Sequence, residues 1–379
     1  MKRQTLSVKN LAVVFGTFAP MHTGHVDLIT KAKRDNDAVL VIVSGTNTDR
    51  DRGSRAGLHL NRRFRYVREV FRGDDLVVID KLDEKDMPAY PNGWTPWLKA
   101  LHALIQKNTD YTFDKVTFYV GEEEYQQPLL NFFETTFAKE NNNKTVHVKR
   151  IERSSIPISA TAIRENPFTY WRYITKPFRR HFTKKVLVVG SASGGKTTLV
   201  KDLGRVFNAP VSLEYARTYQ DRYNVRDDEL DVNDYVHLLA DQYQQTANVI
   251  DEGSHSGLIF ADTNSSVTMT YIDHYLKDAI PQHKYQMLYD LYKATVAREQ
   301  WDLIILIPPK SAYVDDGFRD MTMSDQETRD AFTETLTTYL EEAGFEDKLL
   351  VLDSNANTFF ADNYQRTIKA INQHLGFDI

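Results

Sequence analysis

The stretch VVFGTFAPMHTGHVDLI, residues 13–29, decides the fold of the first part of the chain. An apolar run typical of a strand leads through a glycine-containing turn into a helical pattern. Ligands of open parallel sheets bind at the carboxyl ends of strands, so such a turn indicates a binding site. His22 and His25 lie around the helix start, where both imidazoles can face one bound phosphate. Gly16 permits close approach of the backbone to that ligand, and Gly24 opens the helix.

Two other roles for these histidines are a zinc site and simple packing. A zinc site needs further ligands, and none lies near His22 and His25 in the sequence. Imidazole donors at a helix start suit a phosphorus transition state better than they suit proton abstraction. We therefore interpret both as candidate catalytic residues that stabilise charge on phosphate.

Length and composition describe an ordinary globular chain of two domains. The 379 residues exceed one average domain, and 41% hydrophobic with 26% charged residues is enough to build a core. A net charge of −5 provides no basic field, so we expect neither nucleic acid nor membrane as a partner. The chain contains no cysteine, which excludes disulfides, thiolate zinc sites and cysteine nucleophiles. With no signal-type N-terminus, we expect a cytoplasmic protein.

The first half alternates β-branched runs with helical patterns, which predicts βαβ units and a parallel sheet covered on both faces. The predicted strands are Ala12–Phe15, Ala38–Ser44, Leu76–Asp80, Lys115–Val120 and Thr145–Ile151. The predicted helices are Gly24–Arg34, Leu60–Phe71, Pro96–Lys107 and Pro128–Lys139.

The same alternation restarts near residue 185, after an aromatic and basic segment without a regular period. We therefore predict an α/β protein of two doubly wound parallel-sheet domains, 1–175 and 185–379, joined by a linker at 176–184. The basic cluster Arg179–His181 fits either a phosphate-contacting patch or a solvated linker. The predicted strands of the second domain are Ala209–Glu214, Gly257–Asp262, Asp302–Pro308 and Lys348–Leu352. Its predicted helices are Asn233–Asp251, Ser265–Lys277, Gln282–Arg298, Asp325–Glu342 and Phe360–His374.

The second domain opens with a phosphate-binding loop. GSASGGKT, residues 190–197, satisfies G-x-x-x-x-G-K-[ST] between an apolar strand and a helix. Its amides and the helix start face a phosphate chain, Lys196 reaches the β- and γ-phosphates of ATP, and Thr197 offers a hydroxyl to Mg²⁺. The predicted ATP-binding residues are Gly190, Ser191, Ala192, Ser193, Gly194, Gly195, Lys196, Thr197 and Thr198.

Two further residues are candidates for the chemistry of phosphoryl transfer. Asp262 ends an apolar strand, where it can hold Mg²⁺ together with Thr197 or receive the proton of the acceptor. Arg319 lies in a loop after another strand and can neutralise charge on the transferring group. A plain surface residue is the alternative for each.

The segment after the domain's second strand is the candidate binding site for the phosphate acceptor. In small-molecule kinases the acceptor approaches this region, so Glu214, Tyr215 and Arg217, with Asp262, are predicted to hold its sugar. Ordinary helix-start residues would explain the first three equally well. We expect three further aromatic residues to pack a helix: Tyr271, His274 and Tyr275.

The first domain carries a second motif, ISATAIRENP at residues 158–167. We predict that Ser159 and Thr161 cap a helix start, so that amides, hydroxyls and Arg164 converge on the triphosphate of ATP. A structural cap with an exposed arginine is the alternative.

Together the two motifs of the first domain resemble the H-x-G-H and I-S-x-T-x-x-R signatures of adenylyltransferases in the nucleotidyltransferase superfamily. The second motif does not resemble the lysine-rich loop of class I aminoacyl-tRNA synthetases. The resemblance implies ATP or phosphate binding by Gly16, Thr17, Phe18, Gly24, Ser159 and Thr161.

Joined to a P-loop kinase domain, this pair resembles the bifunctional NadR family, nicotinamide-nucleotide adenylyltransferase fused to ribosylnicotinamide kinase. NGWTPW and VGEEEY also resemble that family's pattern. They imply nicotinamide stacking on Trp94 or Trp97, unless these are core residues, and nucleotide contacts by Gly121 and Glu122. Enteric members carry an amino-terminal DNA-binding domain; the short segment before the first strand makes repression by this chain doubtful.

The resemblance implies a two-step NAD salvage enzyme. Its second domain would phosphorylate nicotinamide riboside with ATP and Mg²⁺, and its first would join nicotinamide mononucleotide to ATP, giving NAD and pyrophosphate. The mononucleotide phosphate is already anionic, so positioning and charge stabilisation by His22, His25 and Arg164 suffice. The alternatives are a sulfurylase–adenylylsulfate kinase fusion and a regulator that senses ATP and NAD without turnover. Whether copies form a homo-oligomer is left open.

Overall fold

The computed structural model describes residues 5–89, 92–140, 144–151, 156–252, 256–315, 317–352 and 359–377. Contacts divide the chain into two compact units, Met1–His181 and Phe182–Ile379. This division falls inside the segment 176–184, which we predicted as a linker.

In the first unit, the described residues form a five-stranded parallel sheet in the order β3-β2-β1-β4-β5. The strands are β1 (Asn10–Gly16), β2 (Ala38–Gly45), β3 (Val77–Asp83), β4 (Lys115–Val120) and β5 (Thr145–Arg150). The helices are α1 (Thr23–Asp35), α2 (Arg52–Arg55), α3 (Leu60–Val70), α4 (Trp94–Asn108), α5 (Gln126–Lys139), α6 (Ala160–Glu165) and α7 (Lys176–Phe182). Short 3-10 turns occupy Glu123–Tyr125 and Trp171–Tyr173.

Helices cover both faces of this sheet, so its central strands are almost entirely apolar. All eight residues of β2, AVLVIVSG, are buried, as expected of a parallel strand covered on both sides. In β1, Leu11 and Val13 pack in one core cluster with residues of α4 and α5. Because successive side chains of a strand alternate, the intervening residues face the opposite layer.

In the second unit, the described residues again form a five-stranded parallel sheet, in the order β10-β9-β6-β8-β7. The strands are β6 (Lys184–Val189), β7 (Val211–Ser212), β8 (Leu258–Asp262), β9 (Leu303–Leu306) and β10 (Leu349–Val351). The helices are α8 (Lys196–Val206), α9 (Tyr215–Tyr223), α10 (Val232–Glu252), α11 (Ser265–Leu276), α12 (Gln282–Val296), α13 (Gln326–Glu342) and α14 (Phe359–Leu375). Short 3-10 turns occupy Asp227–Glu229, Met321–Ser324 and Glu346–Lys348.

Alternation along β6 explains the two layers of the second unit. Leu187 and Val189 pack in a cluster with α10, α11, α12 and α13. Val186 and Val188 pack in a second cluster with α8 and α14. The predicted two-domain, doubly wound α/β fold is confirmed.

The predicted linker is more ordered than its composition indicates. Residues 176–182 form α7, with Pro177 and Phe178 buried. Proline is tolerated here because the first turn of a helix leaves its N–H groups unbonded in any case. Arg179 lies over the Trp171 ring at 5.6 Å, and Arg180 pairs with Glu69. These arginines therefore contact the first unit rather than forming a solvated linker.

Two other differences concern element length and type. The predicted strand Ala209–Glu214 is formed only at β7, an edge strand, and the chain then turns into the unpredicted helix α9. β3 continues to Asp83, three residues beyond its predicted end at Asp80. Among the helices of the described ranges, none has the length and apolar character needed to cross a membrane.

Candidate active sites

A cleft of about 930 Å³ opens in the first unit. It lies at the carboxyl edge of the sheet, where the loops after the neighbouring strands β1 and β4 diverge. The predicted residues that line it are Gly16, Thr17, Phe18, His22, Gly24, His25, Trp97, Gly121, Glu122, Ser159, Thr161 and Arg164. Segments far apart in sequence are thus brought to one cleft.

The two histidines of the opening motif stack on each other at the start of α1. Their ring centroids are 3.7 Å apart with an interplanar angle of 23°. The backbone N–H of His22, the residue before α1, donates to Nδ1 of His25 at 3.3 Å. A Cβ on Gly24 would lie 3.1 Å from Nδ1 of His22, so glycine leaves room for that ring. The pair therefore lines the cleft at the positive end of a helix dipole.

The second motif forms α6, and Arg164 ties this helix to the loop after β1. The hydroxyl of Ser159 caps α6 by accepting the amide N–H three residues on, at 3.1 Å. Thr161 was also predicted as a cap, which is wrong: it lies within α6, and its hydroxyl accepts from Arg164 at 2.9 Å. Arg164 also donates to the carbonyl of Ala19. Burial and the neighbouring Arg52 guanidinium lower the pKa of Arg164. Both arginines line the cleft, where their two positive charges can bind a polyanion.

Arg63 of α3 is a residue that sequence reasoning missed. Its side chain is fully buried and donates to the carbonyls of Thr17 at 2.6 Å and Ser44 at 3.0 Å, and to Asp51 at 2.7 Å. Burial lowers the pKa of Arg63, and the Asp51 charge opposes this shift. Arg63 therefore connects the loop of the first motif to the end of β2. Nothing in the sequence distinguishes it from its neighbouring arginines.

Glu84, also missed, lies beside an aromatic wall of the cleft. The Trp97 indole donates to its carboxylate at 3.1 Å, and the Trp97 ring is 5.0 Å from Phe15 and 6.4 Å from Tyr125. Burial raises the pKa of Glu84. Trp94 packs behind this wall, 6.1 Å from Trp97, and is not among the described residues that line the cleft. The sequence gives no signal for it, because Glu84 lies in a polar segment four residues beyond the predicted end of its strand at Asp80.

The second unit has a narrower pocket of about 250 Å³ above the phosphate-binding loop. The predicted residues lining it are Ala192, Ser193, Gly194, Gly195, Lys196, Thr197, Thr198, Glu214, Arg217 and Arg319. Predicted residues outside this lining, within the described ranges, are Gly190, Ser191, Tyr215 and Asp262. At Gly190, φ is +144° and a Cβ would lie 2.4 Å from the Ile307 carbonyl, so only glycine fits there.

Thr197, which lines the pocket, forms a polar pair with Asp262, which does not line it. Asp262 is fully buried at the end of β8 and accepts the Thr197 hydroxyl. Burial raises its pKa to about 6, although the nearby Lys196 ammonium lowers it. Its other oxygen, Oδ1, has no hydrogen-bond partner among the described residues. The next residue, Thr263, has φ +81°, a strained value for a β-branched side chain.

This pair fits a small hard cation. A carboxylate with one unused oxygen beside a threonine hydroxyl is an oxygen donor set of the kind Mg²⁺ takes together with substrate phosphates. Across the described ranges, no group of three or more histidine, aspartate and glutamate side chains forms a complete protein cage. A cation here would need ligands from the nucleotide.

The loop after β9 is bonded to the phosphate-binding loop. Arg319 donates to the Ser193 hydroxyl and to the Val314 carbonyl, both at 2.6 Å, and Ser311 donates to the Ser193 carbonyl at 2.5 Å. Arg329 of α13, which sequence reasoning missed, donates to the carbonyls of Ser311 at 2.8 Å and Ala192 at 3.2 Å. These donors therefore stabilise the phosphate-binding loop by hydrogen bonds to its carbonyl oxygens and to the Ser193 hydroxyl.

The pocket lining also includes apolar and aromatic side chains and, in addition to Glu214, a second carboxylate. Tyr235, Leu238 and Tyr271 lie there with Asp227. Tyr271 packs against Phe332 of α13 as expected, with ring centroids 4.7 Å apart, and it also lines the pocket. The other two aromatics of that prediction, His274 and Tyr275, are not among the described lining residues.

Comparison with known proteins matches each unit to a domain family and then the whole chain to a protein family. A cytidylyltransferase-like family profile matches residues 13–166, and an AAA domain profile matches residues 185–354. The trifunctional NAD biosynthesis/regulator protein NadR of Salmonella typhimurium strain LT2 is 30% identical over 345 residues, 89% of this chain and 78% of that protein. The chain belongs to the NadR family. The NadR protein of Escherichia coli strain K12 is 29% identical over 350 residues, with the same coverage of both proteins.

Two solved NadR structures extend this relation over the whole chain. A NadR protein in complex with NR is 40% identical with a TM-score of 0.85, covering 99% of both chains. A NadR protein in complex with NAD and AMP-PNP is 39% identical with a TM-score of 0.83 and the same coverage. The NadR family membership that the motifs predicted is confirmed.

Proposed function

We propose that this chain is a bifunctional enzyme of NAD salvage. It phosphorylates nicotinamide riboside with ATP and adenylylates nicotinamide mononucleotide with ATP, releasing NAD and pyrophosphate. The observation that carries the proposal is the presence in one chain of a cleft with two stacked histidines and a phosphate-loop pocket with a buried Asp262–Thr197 pair. NadR relatives bound to NR, and to NAD with AMP-PNP, support it.

In the kinase step, the 5′-hydroxyl of the riboside attacks the γ-phosphorus of ATP. A new P–O bond forms to the riboside oxygen, the bond to ADP breaks, and the hydroxyl proton passes to a carboxylate. Glu214 lines the pocket and is the proton acceptor we assign, because Asp262 is engaged with Thr197. Lys196 and Arg319 stabilise the transferring group.

Asp262 and Thr197 would hold Mg²⁺ in this site. Bound there, Mg²⁺ neutralises charge on the β- and γ-phosphates. The cation would then bind Oδ1 of Asp262, the oxygen that has no hydrogen-bond partner among the described residues. A raised pKa in the metal-free site fits this role, since a carboxylate that is costly to ionise alone is stabilised by a cation.

In the adenylyl-transfer step, a phosphate oxygen of nicotinamide mononucleotide attacks the α-phosphorus of ATP. The bond to the β-phosphate breaks and pyrophosphate leaves, so no proton transfer is needed. His22 and His25 donate to the phosphate oxygens where charge develops, while Arg164 and Arg52 hold the triphosphate. Trp97 supplies a face for the nicotinamide ring, and the backbone at Gly121 and Glu122 contacts the nucleotide.

The test is to incubate the protein with ATP, Mg²⁺ and nicotinamide riboside and to identify products by mass spectrometry. We expect nicotinamide mononucleotide, ADP, NAD and pyrophosphate. Folded protein that forms neither nucleotide product would overturn the proposal. Sulfate-dependent exchange of pyrophosphate into ATP would instead indicate the sulfurylase-type alternative. ATP and NAD binding without turnover would indicate the sensing alternative.

A further inference from the structure

The pocket of the second unit has an order along its length. The phosphate-binding loop and the start of α8 line one part of it, and side chains of α10 and α11, Tyr235 and Tyr271 among them, line another. Helix α8 packs in one layer of the unit, and α10 and α11 pack in the other. Asp227, in the turn before α10, also lines the pocket. A riboside whose 5′-hydroxyl reaches the γ-phosphate places its base toward Asp227.

Asp227 forms no salt bridge among the described residues: burial raises its pKa, and the Gln220 hydrogen bond and the more distant Arg217 charge oppose that shift only in part. Its Oδ1 accepts the Gln220 amide at 2.7 Å, and its Oδ2 accepts the backbone N–H of Asp320 at 3.3 Å. Within the described part of the chain, no lysine, arginine or histidine nitrogen forms an ion pair with it. Its neighbour Asp228, in contrast, pairs with Arg226 at 2.8 Å. The pocket therefore presents a carboxylate charge that the protein leaves without a direct ion pair.

Two tyrosine side chains, Tyr235 and Tyr271, line the same pocket as this carboxylate. Burial and then the Asp227 charge raise the pKa of Tyr235 and that of Tyr313, the latter to about 12. Burial, Glu214 and Asp227 together raise the pKa of Tyr271. All three hydroxyls thus remain neutral, and Tyr235 and Tyr271 line the pocket. A pocket lined by neutral aromatic side chains and a carboxylate is suited to a flat organic cation.

We propose that Asp227, with Tyr235 and Tyr271, makes the kinase site select ribosides whose base bears a fixed positive charge. The inference rests on the proposed function and adds the property by which the acceptor is recognised. The pyridinium ring of nicotinamide riboside carries that charge at every pH. An uncharged base of the same shape would remove water from Asp227 and add no opposite charge in its place.

The experiment compares nicotinamide riboside with 3-(β-D-ribofuranosyl)benzamide, which has a neutral ring of nearly the same shape. ADP release is measured for both with the wild type, Asp227→Asn and the control Asp228→Asn. We expect the wild type and the control to favour the cationic riboside in kcat/KM by about tenfold or more. Asp227→Asn should lose most of this preference by losing activity on the cationic riboside alone. An unchanged preference, or an equal loss on both ribosides, would overturn the inference.

A second measurement needs no variant and covers the case in which Asp227→Asn does not fold. The cation 1-methylnicotinamide should inhibit the wild-type kinase more strongly than neutral 3-methylbenzamide; equal inhibition would contradict the selection by charge. A wild type that phosphorylates neither riboside refutes the proposed function itself. A wild type that phosphorylates both ribosides equally well refutes only the role of Asp227.

Discussion

Replacing Asp262 by asparagine should stabilise the metal-free second unit while removing its kinase activity. Asp262 is fully buried, and burial raises its pKa from 3.8 to about 6 despite the favourable contacts with Lys196 and Thr197. That difference corresponds to about 3 kcal/mol at about 1.4 kcal/mol per pKa unit. Above pH 6 the folded protein bears this cost because the carboxylate is ionised, and asparagine removes the charge at nearly constant volume.

The sign of the pH dependence follows from the same shift. The pKa of Asp262 is higher in the folded protein than in the unfolded chain, so the folded state retains a proton that the unfolded state releases. The free energy of unfolding should therefore increase as the pH falls from about 6 toward 4. The asparagine variant lacks this contribution. Its advantage over the wild type should be about 3 kcal/mol at pH 7.5 and clearly smaller at pH 5.

Urea unfolding in the presence of a chelator measures both quantities. Of the four tryptophans, only Trp301 belongs to the second unit, so its signal in fluorotryptophan-labelled protein reports that unit alone. The exposed substitution Asp221→Asn is the matched control, and it should leave the stability and its pH dependence unchanged. An Asp262→Asn variant that is no more stable than the wild type at pH 7.5, or equally favoured at both pH values, would refute the reasoning.

Three further predictions concern individual residues. Lys196→Ala should abolish formation of the mononucleotide but not its adenylylation, and His25→Ala should abolish the adenylylation but not formation of the mononucleotide. Product identification measures both steps, and loss of both in either variant would contradict independent sites. Trp97→Ala should raise KM for the mononucleotide about tenfold or more, whereas Trp94→Ala should lower thermal stability with little effect on KM; equal KM effects would contradict the cleft geometry. Arg63→Met should lower the free energy of unfolding of the first unit, measured in urea, by about 3–5 kcal/mol, because Asp51 and two carbonyls lose a buried donor. A decrease below about 1 kcal/mol would contradict the contacts described.

The residues predictable from the sequence are those carried by local motifs. His22, His25 and the phosphate-binding loop sit in strand–turn–helix segments whose spacing alone indicates the chemistry. Central strands such as β2 were also predictable, since a fully buried parallel strand is a continuous apolar run. Edge strand β7 was not, because an edge strand has few contacts to distinguish it from the helix that follows.

Other site residues have no local signature because they act from a different element. Glu84 follows β3 but contacts Trp97 of α4, and Asp227 lies in a short 3-10 turn before α10. Their burial, which raises the pKa of each, exists only after the chain has folded. An acidic residue in a polar segment of sequence gives no sign of this. Only the structure separates Asp227, which lines the pocket, from Asp228, which pairs with an arginine.

Both units hold their phosphate-facing loops with a buried arginine. When a loop turns its amides toward a ligand, several of its carbonyls point the opposite way and need donors. Arg63 supplies them to Thr17 and Ser44 in the first unit, and Arg329 supplies them to Ala192 and Ser311 in the second.

A guanidinium suits this task because its planar fork carries five donors and keeps its charge even where burial lowers its pKa, as it does for both arginines. Each held loop contains a non-glycine residue with positive φ, Phe18 at +46° and Ser193 at +62°. Such conformations persist only when surrounding contacts over-determine them. Both arginines make these contacts through two separate guanidinium nitrogens. The single ammonium of a shorter lysine side chain does not reproduce that fork, so Arg63→Lys and Arg329→Lys should each impair the reaction of their own unit while leaving the other intact.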